Sequence, residues 1–233
     1  MALEIYPVIH IDSETQATEQ AALAIESGAD GIYLIDHNSH DTALLLSAYN
    51  SVRDTFPSGF VGLNFLQRHS SALAFRELLA AKSSDVIDKY PSALWVDYAD
   101  NDKEETERLR TDNPELLEVL YLGGVAFKYT KTFTEDAEEA ADEATRLAPF
   151  VDVVTTSGAG TGIAPSPEKI ASMKEAISPK PLAVASGISI DNIGAYSGSF
   201  DQLLVSTSIE EEPYSGIFNE QRLKELVDIA HKL

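Results

Sequence analysis

Short apolar stretches rich in β-branched residues alternate along the chain with longer polar segments that carry aliphatic residues at helical spacing. EIYPVIHI, from Glu4 to Ile11, is followed by TQATEQAALAIESG, where Ala17, Ala21, Leu23, Ala24 and Ile25 predict a helix that Gly28 stops. GIYLID then precedes a predicted helix near 41–55, GFVGLNFL one near 70–81, and ALWVDYA an acidic one near 103–110. LEVLYLGGVAFK, residues 117–128, reads as the fifth strand, with Gly123 and Gly124 marking a bulge or bend. FTEDAEEAADEATRLA predicts a helix with Thr134 as its N-cap. VDVVTT precedes PEKIASMKEAI, where Ser166 suits the N-cap and Pro167 the first helical position. PLAVAS leads to a helix near 191–196, and FDQLLVS to the final helix, RLKELVDIAHKL.

Strict alternation of this kind predicts parallel strands joined by right-handed helical crossovers. A chain of 233 residues, 44% of them hydrophobic, can bury one large core. The expectation is an α/β fold, a (β/α)8 TIM barrel of the phosphate-binding type forming a single domain over 1–233, with a doubly wound open sheet as the alternative.

Charge and cysteine content narrow the function classes. The formal net charge of -21, from 38 acidic and 17 basic residues, disfavours nucleic acid and anionic membrane as partners, which need a Lys/Arg footprint. With no Cys, disulfides, Cys-ligated zinc, iron–sulfur clusters and thiol catalysis are excluded. No signal-peptide pattern opens the chain and no long apolar run occurs, so a soluble cytoplasmic protein without membrane insertion is expected. Self-association into a homo-oligomer is left open.

In a (β/α)8 barrel the loops after the strands' C-terminal ends build the active face. Those positions hold His10 and Asp12, Asp36 and His37, Asn64 with Gln67, Arg68 and His69, Asp97 and Asp100, and Lys128. His10, Asp12, Asp36 and Asp97 are acid/base candidates. The aspartates could equally cap helices or hold a divalent ion such as Mg, and His10 could be a hydrogen-bonded core residue. Lys128 could contact a phosphate, stabilise an oxyanion, form a Schiff base, or make a salt bridge to Asp97 or Asp36. His37 and His40 have the i, i+3 spacing of a helical metal pair but fall in a loop, so no metal or other cofactor is assigned. Neither GxSxG nor HExxH is present.

VDVVTTSGAGTG, 151–162, is not a P-loop, because no Lys-Ser/Thr pair follows its glycines, and Ile163 occupies the third glycine position of GxGxxG. What is left is a loop whose backbone could approach an anion, joined by the ends of the last two strands. The candidate phosphate seat is therefore Ser157, Gly158, Gly160, Thr161 and Gly162 with Ser186, Gly187, Ser206, Thr207 and Ser208. A short extra helix within 209–216 would complete it. The alternative is that these glycines only turn the chain.

Taken in order, VIHI, SGADGIYLID, VGLNFLQRHSSALA, VAFKYTKTF, VVTTSGAGTG, VASGISIDNI and LLVSTSI resemble the BtpA family, TIM-barrel proteins named after a factor needed for photosystem I biogenesis. The resemblance spans most of the chain. It implies a barrel whose family-like positions are His10, Asn64, Lys128, Ser157, Gly158, Thr161, Gly162, Ser186, Gly187, Asn192, Thr207 and Ser208, without implying a reaction. The chain departs from the family pattern in lacking a PLPG-type insertion after the first strand. Asp36-His37 replaces an acidic-Asn pair, and Gln67-Arg68-His69 replaces Arg-Asn-Asp. Tyr129 stands for a His, and Ser206 and Glu210 for a Gly and a Lys, which removes a basic group from the phosphate seat. The expected function is an enzyme acting on a small phosphorylated metabolite, a sugar phosphate or phosphoribosyl compound, by isomerase- or lyase-like chemistry. The alternative is a non-catalytic assembly or regulatory factor that uses the barrel as scaffold or ligand sensor.

Overall fold

A computed structural model describes residues 3–37 and 41–233. Eight parallel strands close a barrel in sequence order: β1 (Glu4–His10), β2 (Ile32–Ile35), β3 (Val61–Asn64), β4 (Ala93–Val96), β5 (Leu120–Gly124), β6 (Val153–Thr156), β7 (Leu182–Ala185) and β8 (Gln202–Val205). Helices α1 (Glu14–Glu26), α2 (Thr42–Thr55), α3 (Ser71–Ser83), α4 (Lys103–Asp112), α5 (Ala137–Leu147), α6 (Pro167–Ile177) and α7 (Glu220–Ala230) form the crossovers and the C-terminal element. The fold is the (β/α)8 barrel that the alternation predicts, and β8 closes on β1 through Tyr6 opposite Leu204.

Several helix starts follow from local chemistry. Ser13, Asp41, Ser70, Ser166 and Asn219 each accept a backbone N–H from the first turn of the helix they precede. Three local expectations change. The N-cap of α5 is Asp136, whose carboxylate accepts from Glu138 and Glu139, while Thr134 accepts the N–H of Asp136 from outside the helix. Residues 193–196 form one 3-10 turn where a helix was expected. The extra helix is a three-residue 3-10 turn, Thr207–Ile209, so only its last residue falls in the expected 209–216.

Alternation along the strands separates two apolar layers. Ile5, Ile9, Leu34, Leu63, Leu94, Val154, Val184 and Leu203 pack outward under the helices. Tyr6, Val8, Tyr33, Ile35, Trp95, Leu122, Val153, Ala185 and Leu204 fill the interior together with Phe127. The interior is a chain of edge-to-face rings, with Tyr6 on Tyr33 at 5.7 Å, Tyr33 on Trp95 at 6.1 Å and Trp95 on Phe127 at 6.1 Å. Gly62 makes room for it, since a Cβ there would lie 2.2 Å from the Tyr33 ring. Gly62→Ala is accordingly expected to cost about 2 kcal/mol by overpacking, measurable in a denaturant melt. Adding Tyr33→Leu to the variant should recover part of that loss.

The N-terminal face is held by a repeated device. Asp30, Asp152 and Asp201, each just before a strand, accept the backbone N–H of the neighbouring strand: Ile5 at 2.8 Å, Tyr121 at 2.8 Å and Leu182 at 2.7 Å. Each also meets a basic side chain, His231 at 3.1 Å, Arg110 at 2.7 Å and Lys174 at 2.6 Å. These carboxylates stabilise the end of the barrel opposite the loops that carry chemistry. No described helix is long and apolar enough to cross a membrane.

Candidate functional site

At the C-terminal mouth, inward positions two residues apart place Trp95 and Asp97 on the same side of β4, next to Asn64 at the end of β3. Asn64, 1% exposed, donates from Nδ2 to Oδ1 of Asp97 at 3.3 Å. Burial raises the Asp97 carboxyl to about 6, opposed by the Lys128 charge, the Asn64 hydrogen bond and His69. Lys128 is likewise lowered from its ordinary value by burial, with the Asp97 charge working the other way. The pair is thus a carboxylate and an ammonium, each held with less solvent than it prefers.

Lys128 does not sit on the strand itself. β5 ends at Gly124, where a Cβ would lie 2.1 Å from the Asp97 carbonyl oxygen, so only glycine lets the two strand ends run this close. The chain then turns through Ala126, at φ 46°, and the Lys128 N–H is fixed by the Ser157 hydroxyl at 2.8 Å. The ammonium donates to Thr161 Oγ1 at 3.4 Å.

His10, at the end of β1, stacks on His37 with ring centroids 5.4 Å apart. Burial, with the nearby His37 and Lys128 charges, lowers its pKa to about 4, so the imidazole is neutral at ordinary pH. Behind it Glu210 is fully buried, accepting from Ser206 Oγ at 2.8 Å and lying 4.0 Å from His10 Nδ1.

The anion side is a pocket of about 260 Å³ lined by Lys128, Thr161, Gly162 and the segments 185–189 and 204–208. Its side-chain hydroxyls are largely committed: Ser186 donates to Gly160 O at 2.8 Å, Ser206 to Glu210, and Ser208 to Ile188 O at 2.8 Å. Backbone donors remain. The first N–H groups of the 207–209 turn have no side-chain cap, and those of Gly187 and Ile188 have no backbone partner among the described residues. With Thr207 and the Lys128 ammonium, these are the groups that can meet an anion.

The structure also sorts the sequence-read residues. His10, Asp97, Lys128, Thr161, Gly162, Ser186, Gly187, Ser206, Thr207 and Ser208 surround one opening, and buried Asn64 reaches it only through its hydrogen bond to Asp97. Ser157, Gly158 and Gly160 lie behind its wall. Ser157 is fully buried and positions Lys128, Gly158 packs against the backbone of Ile163 and Ala164, and the Gly160 carbonyl holds Ser186. Asp36 does not face the opening: its carboxylate accepts the N–H of Asp41 at the start of α2, and it lines a separate small cleft with Leu45 and Phe65. Asp12 is exposed, on the rim of a side cavity of about 340 Å³ shared with Gln16 and Tyr214. His40 lies outside the described residues. Among the described residues no three His, Asp or Glu side chains gather as a metal site.

Two contributors escaped the sequence reading. Trp95 lines the opening, and its place two residues before Asp97 was the available signal. Lys169 of α6 is fully buried and ties the loops after β5 and β6, donating to Ala126 O at 3.0 Å and Ser157 O at 2.8 Å. Burial lowers its pKa to about 8, and no sequence signal separates it from a solvated helix lysine.

No family model matches the chain, and no curated protein matches it by sequence. Solved structures match over nearly its whole length. Phosphoribosyl anthranilate isomerase from Thermus thermophilus is 15% identical with a TM-score of 0.65, covering 97% of each chain. A phosphoribosyl anthranilate isomerase in complex with reduced 1-(o-carboxyphenylamino)-1-deoxyribulose 5-phosphate is 14% identical at a TM-score of 0.68, covering 99% of this chain and 100% of that one. (S)-3-O-geranylgeranylglyceryl phosphate synthase from Thermoplasma acidophilum, in complex with sn-glycerol-1-phosphate, is 14% identical at 0.69, covering 100% and 94%. At these identities the likeness establishes the barrel fold alone.

Proposed function

We propose that the protein is an enzyme acting on a small phosphorylated metabolite, a sugar phosphate or phosphoribosyl compound, by isomerase- or lyase-like acid/base chemistry. The observation that carries this reading is the junction of two features. A pocket with uncommitted backbone donors after β7 and β8 opens onto the Asp97–Lys128 pair, and both share Lys128. The structural neighbours named above include proteins bound to phosphorylated ligands, which supports the same chemical class. The ordered motifs remain the support for kinship with BtpA-type barrels.

In this reading the phosphate rests on the N–H groups of Gly187, Ile188, Thr207 and Ser208. Asp97, with a pKa near its working range, takes a proton from carbon or oxygen of the substrate. Lys128 stabilises the negative charge that develops, and the neutral His10 donates or accepts a hydrogen bond without adding charge. No redox group is required for such a reaction. The mouth is open, not plugged by apolar side chains, which favours catalysis over a scaffold role.

Thermal-shift screening with ribose 5-phosphate, inorganic phosphate and other phosphorylated metabolites tests the reading. A rise in Tm with at least one phosphorylated compound is expected, and none above buffer with any of them would overturn it. With the substrate so identified, Lys128→Ala should lower kcat by about 100-fold or more. The plot of kcat/KM against pH should rise through about 6 as Asp97 ionises and fall on the alkaline side below the ordinary lysine value as Lys128 loses its proton. Unchanged turnover in Lys128→Ala would remove its proposed role.

A further inference from the structure

The opening has two unlike halves. Toward β7 and β8 lies the pocket of about 260 Å³, walled by backbone and small hydroxyl side chains. Toward β2, β3 and β4 a larger chamber of about 540 Å³ is walled by Ile35, Leu66, Trp95, Tyr98, His69 and Tyr129. Val8, His10, Trp95, Lys128 and Thr161 line both, so one molecule can fill the two together.

The larger half is built from rings. His69 stands edge-on to Tyr98 at 4.7 Å, and Trp95 forms part of the floor. Tyr129, 70% exposed, stands at this rim, while Tyr214, 65% exposed, and Ile217 line the adjoining side cavity, which shares His10, His37 and Thr161 with the chamber. Tyr129 and Tyr214 are both held in the left-handed region, at φ 64° and 68°, a conformation that costs energy for a non-glycine residue. Exposed apolar groups concentrated around a cavity mark a binding surface.

We propose that the ligand is a phosphate monoester whose other end is a flat aromatic ring, with the phosphate beside Gly187 and Ser208 and the ring between Trp95, Leu66 and Tyr98. This deepens the phosphorylated-substrate reading and rests on it. A ring fits better than a long alkyl chain for two reasons. Aromatic edges and faces approach the chamber from several sides, and each offset or edge contact adds to burial. The apolar wall is also short, broken by Gln67, His69 and Asp97, and so offers no continuous channel for a chain.

Trp95 is the single tryptophan of the sequence and therefore a built-in reporter of the chamber. Calorimetric and fluorescence titrations of the full chain would compare 3-phenylpropyl phosphate, propyl phosphate, n-decyl phosphate, inorganic phosphate and 3-phenylpropanol. The phenylpropyl ester is expected to bind about tenfold tighter than the propyl ester and to change Trp95 emission. Tyr98→Ala should remove most of that preference while leaving affinity for inorganic phosphate in place. Equal affinity for the phenylpropyl and propyl esters would overturn the ring and leave the phosphate reading standing, as would an unchanged preference in Tyr98→Ala. Tighter binding of the decyl ester would replace the ring by an alkyl group. If 3-phenylpropanol matched its phosphate, or no phosphate bound at all, the phosphorylated-substrate reading would fall and the inference with it.

Discussion

Asp97→Asn is expected to make the protein more stable and inactive. Half-buried at the mouth, the Asp97 carboxyl keeps its proton up to about pH 6 in the folded state, whereas an unfolded aspartate releases it near 3.9. Between those values the folded state binds more protons than the unfolded one, so stability falls as pH rises through this window. The penalty is absent at low pH and complete above about pH 6. Asparagine has the shape of the protonated acid and carries no such penalty. With the attraction to Lys128 already contained in that shift, the variant should gain about 2 kcal/mol at neutral pH, roughly 4 °C in Tm, and almost nothing below about pH 3. Turnover should fall by about 100- to 10,000-fold, the usual worth of a positioned base. Paired melts across pH, with kinetics at one pH, check both halves. A variant less stable than the parent at neutral pH would show that the Lys128 pairing outweighs the burial of the charge.

Gly187→Ala is expected to damage stability and anion binding together. Gly187 has φ +69°, and a Cβ there would lie 2.0 Å from the Ala164 nitrogen and 2.2 Å from the Ile163 carbonyl carbon. These are backbone atoms, and the loop that carries them is tied down: the Ile163 N–H bonds to Gly160 O at 3.1 Å, and the Tyr196 hydroxyl to Pro165 O at 2.6 Å. Left-handed strain and overpacking together should cost about 3 kcal/mol. Gly198→Ala is the internal control. It has φ +72° with no heavy atom within 4 Å of the added Cβ, so it should show the conformational cost alone, about 1 kcal/mol. Denaturant melts of both variants, with phosphate titration of each, separate the clash from the strain. Equal losses in the two would mean that the loop after β6 yields easily and does not help shape the pocket.

Much of the site could be located in the sequence because a parallel barrel sends every strand's C-terminal end to one face. His10, Asn64, Asp97 and Lys128 follow four different strands yet meet, and no long-range information was needed to place them together. Their individual duties were less legible. Asp36 and Asp97 both sit just past a strand of apolar residues, but Asp97 lies two residues beyond inward-facing Trp95 and Asp36 one beyond inward-facing Ile35. That single step of parity turns Asp36 to the start of α2 and leaves Asp97 at the mouth. The serines after β6, β7 and β8 read alike as anion ligands, yet their hydroxyl partners are Lys128, Gly160 and Ile188 on other loops and, for Ser206, the buried Glu210 one turn onward. What can still receive an anion is backbone, which the identity of a side chain does not reveal.

The order and type of the elements, the barrel and the face that carries the polar loops were determined by local pattern. Periodicity of two and of about 3.6 residues selects strand or helix, and right-handed crossovers leave few ways to join them. The tertiary structure decided what depends on distance and burial between segments. It ended β5 at Gly124 because the backbone of Asp97 lies against it, buried Lys169 beneath two loops, and placed Asp97 and Lys128 where each shifts the other's proton. Local preferences act between neighbours in sequence, whereas desolvation and charge act between neighbours in space, and only the closed barrel makes these residues neighbours.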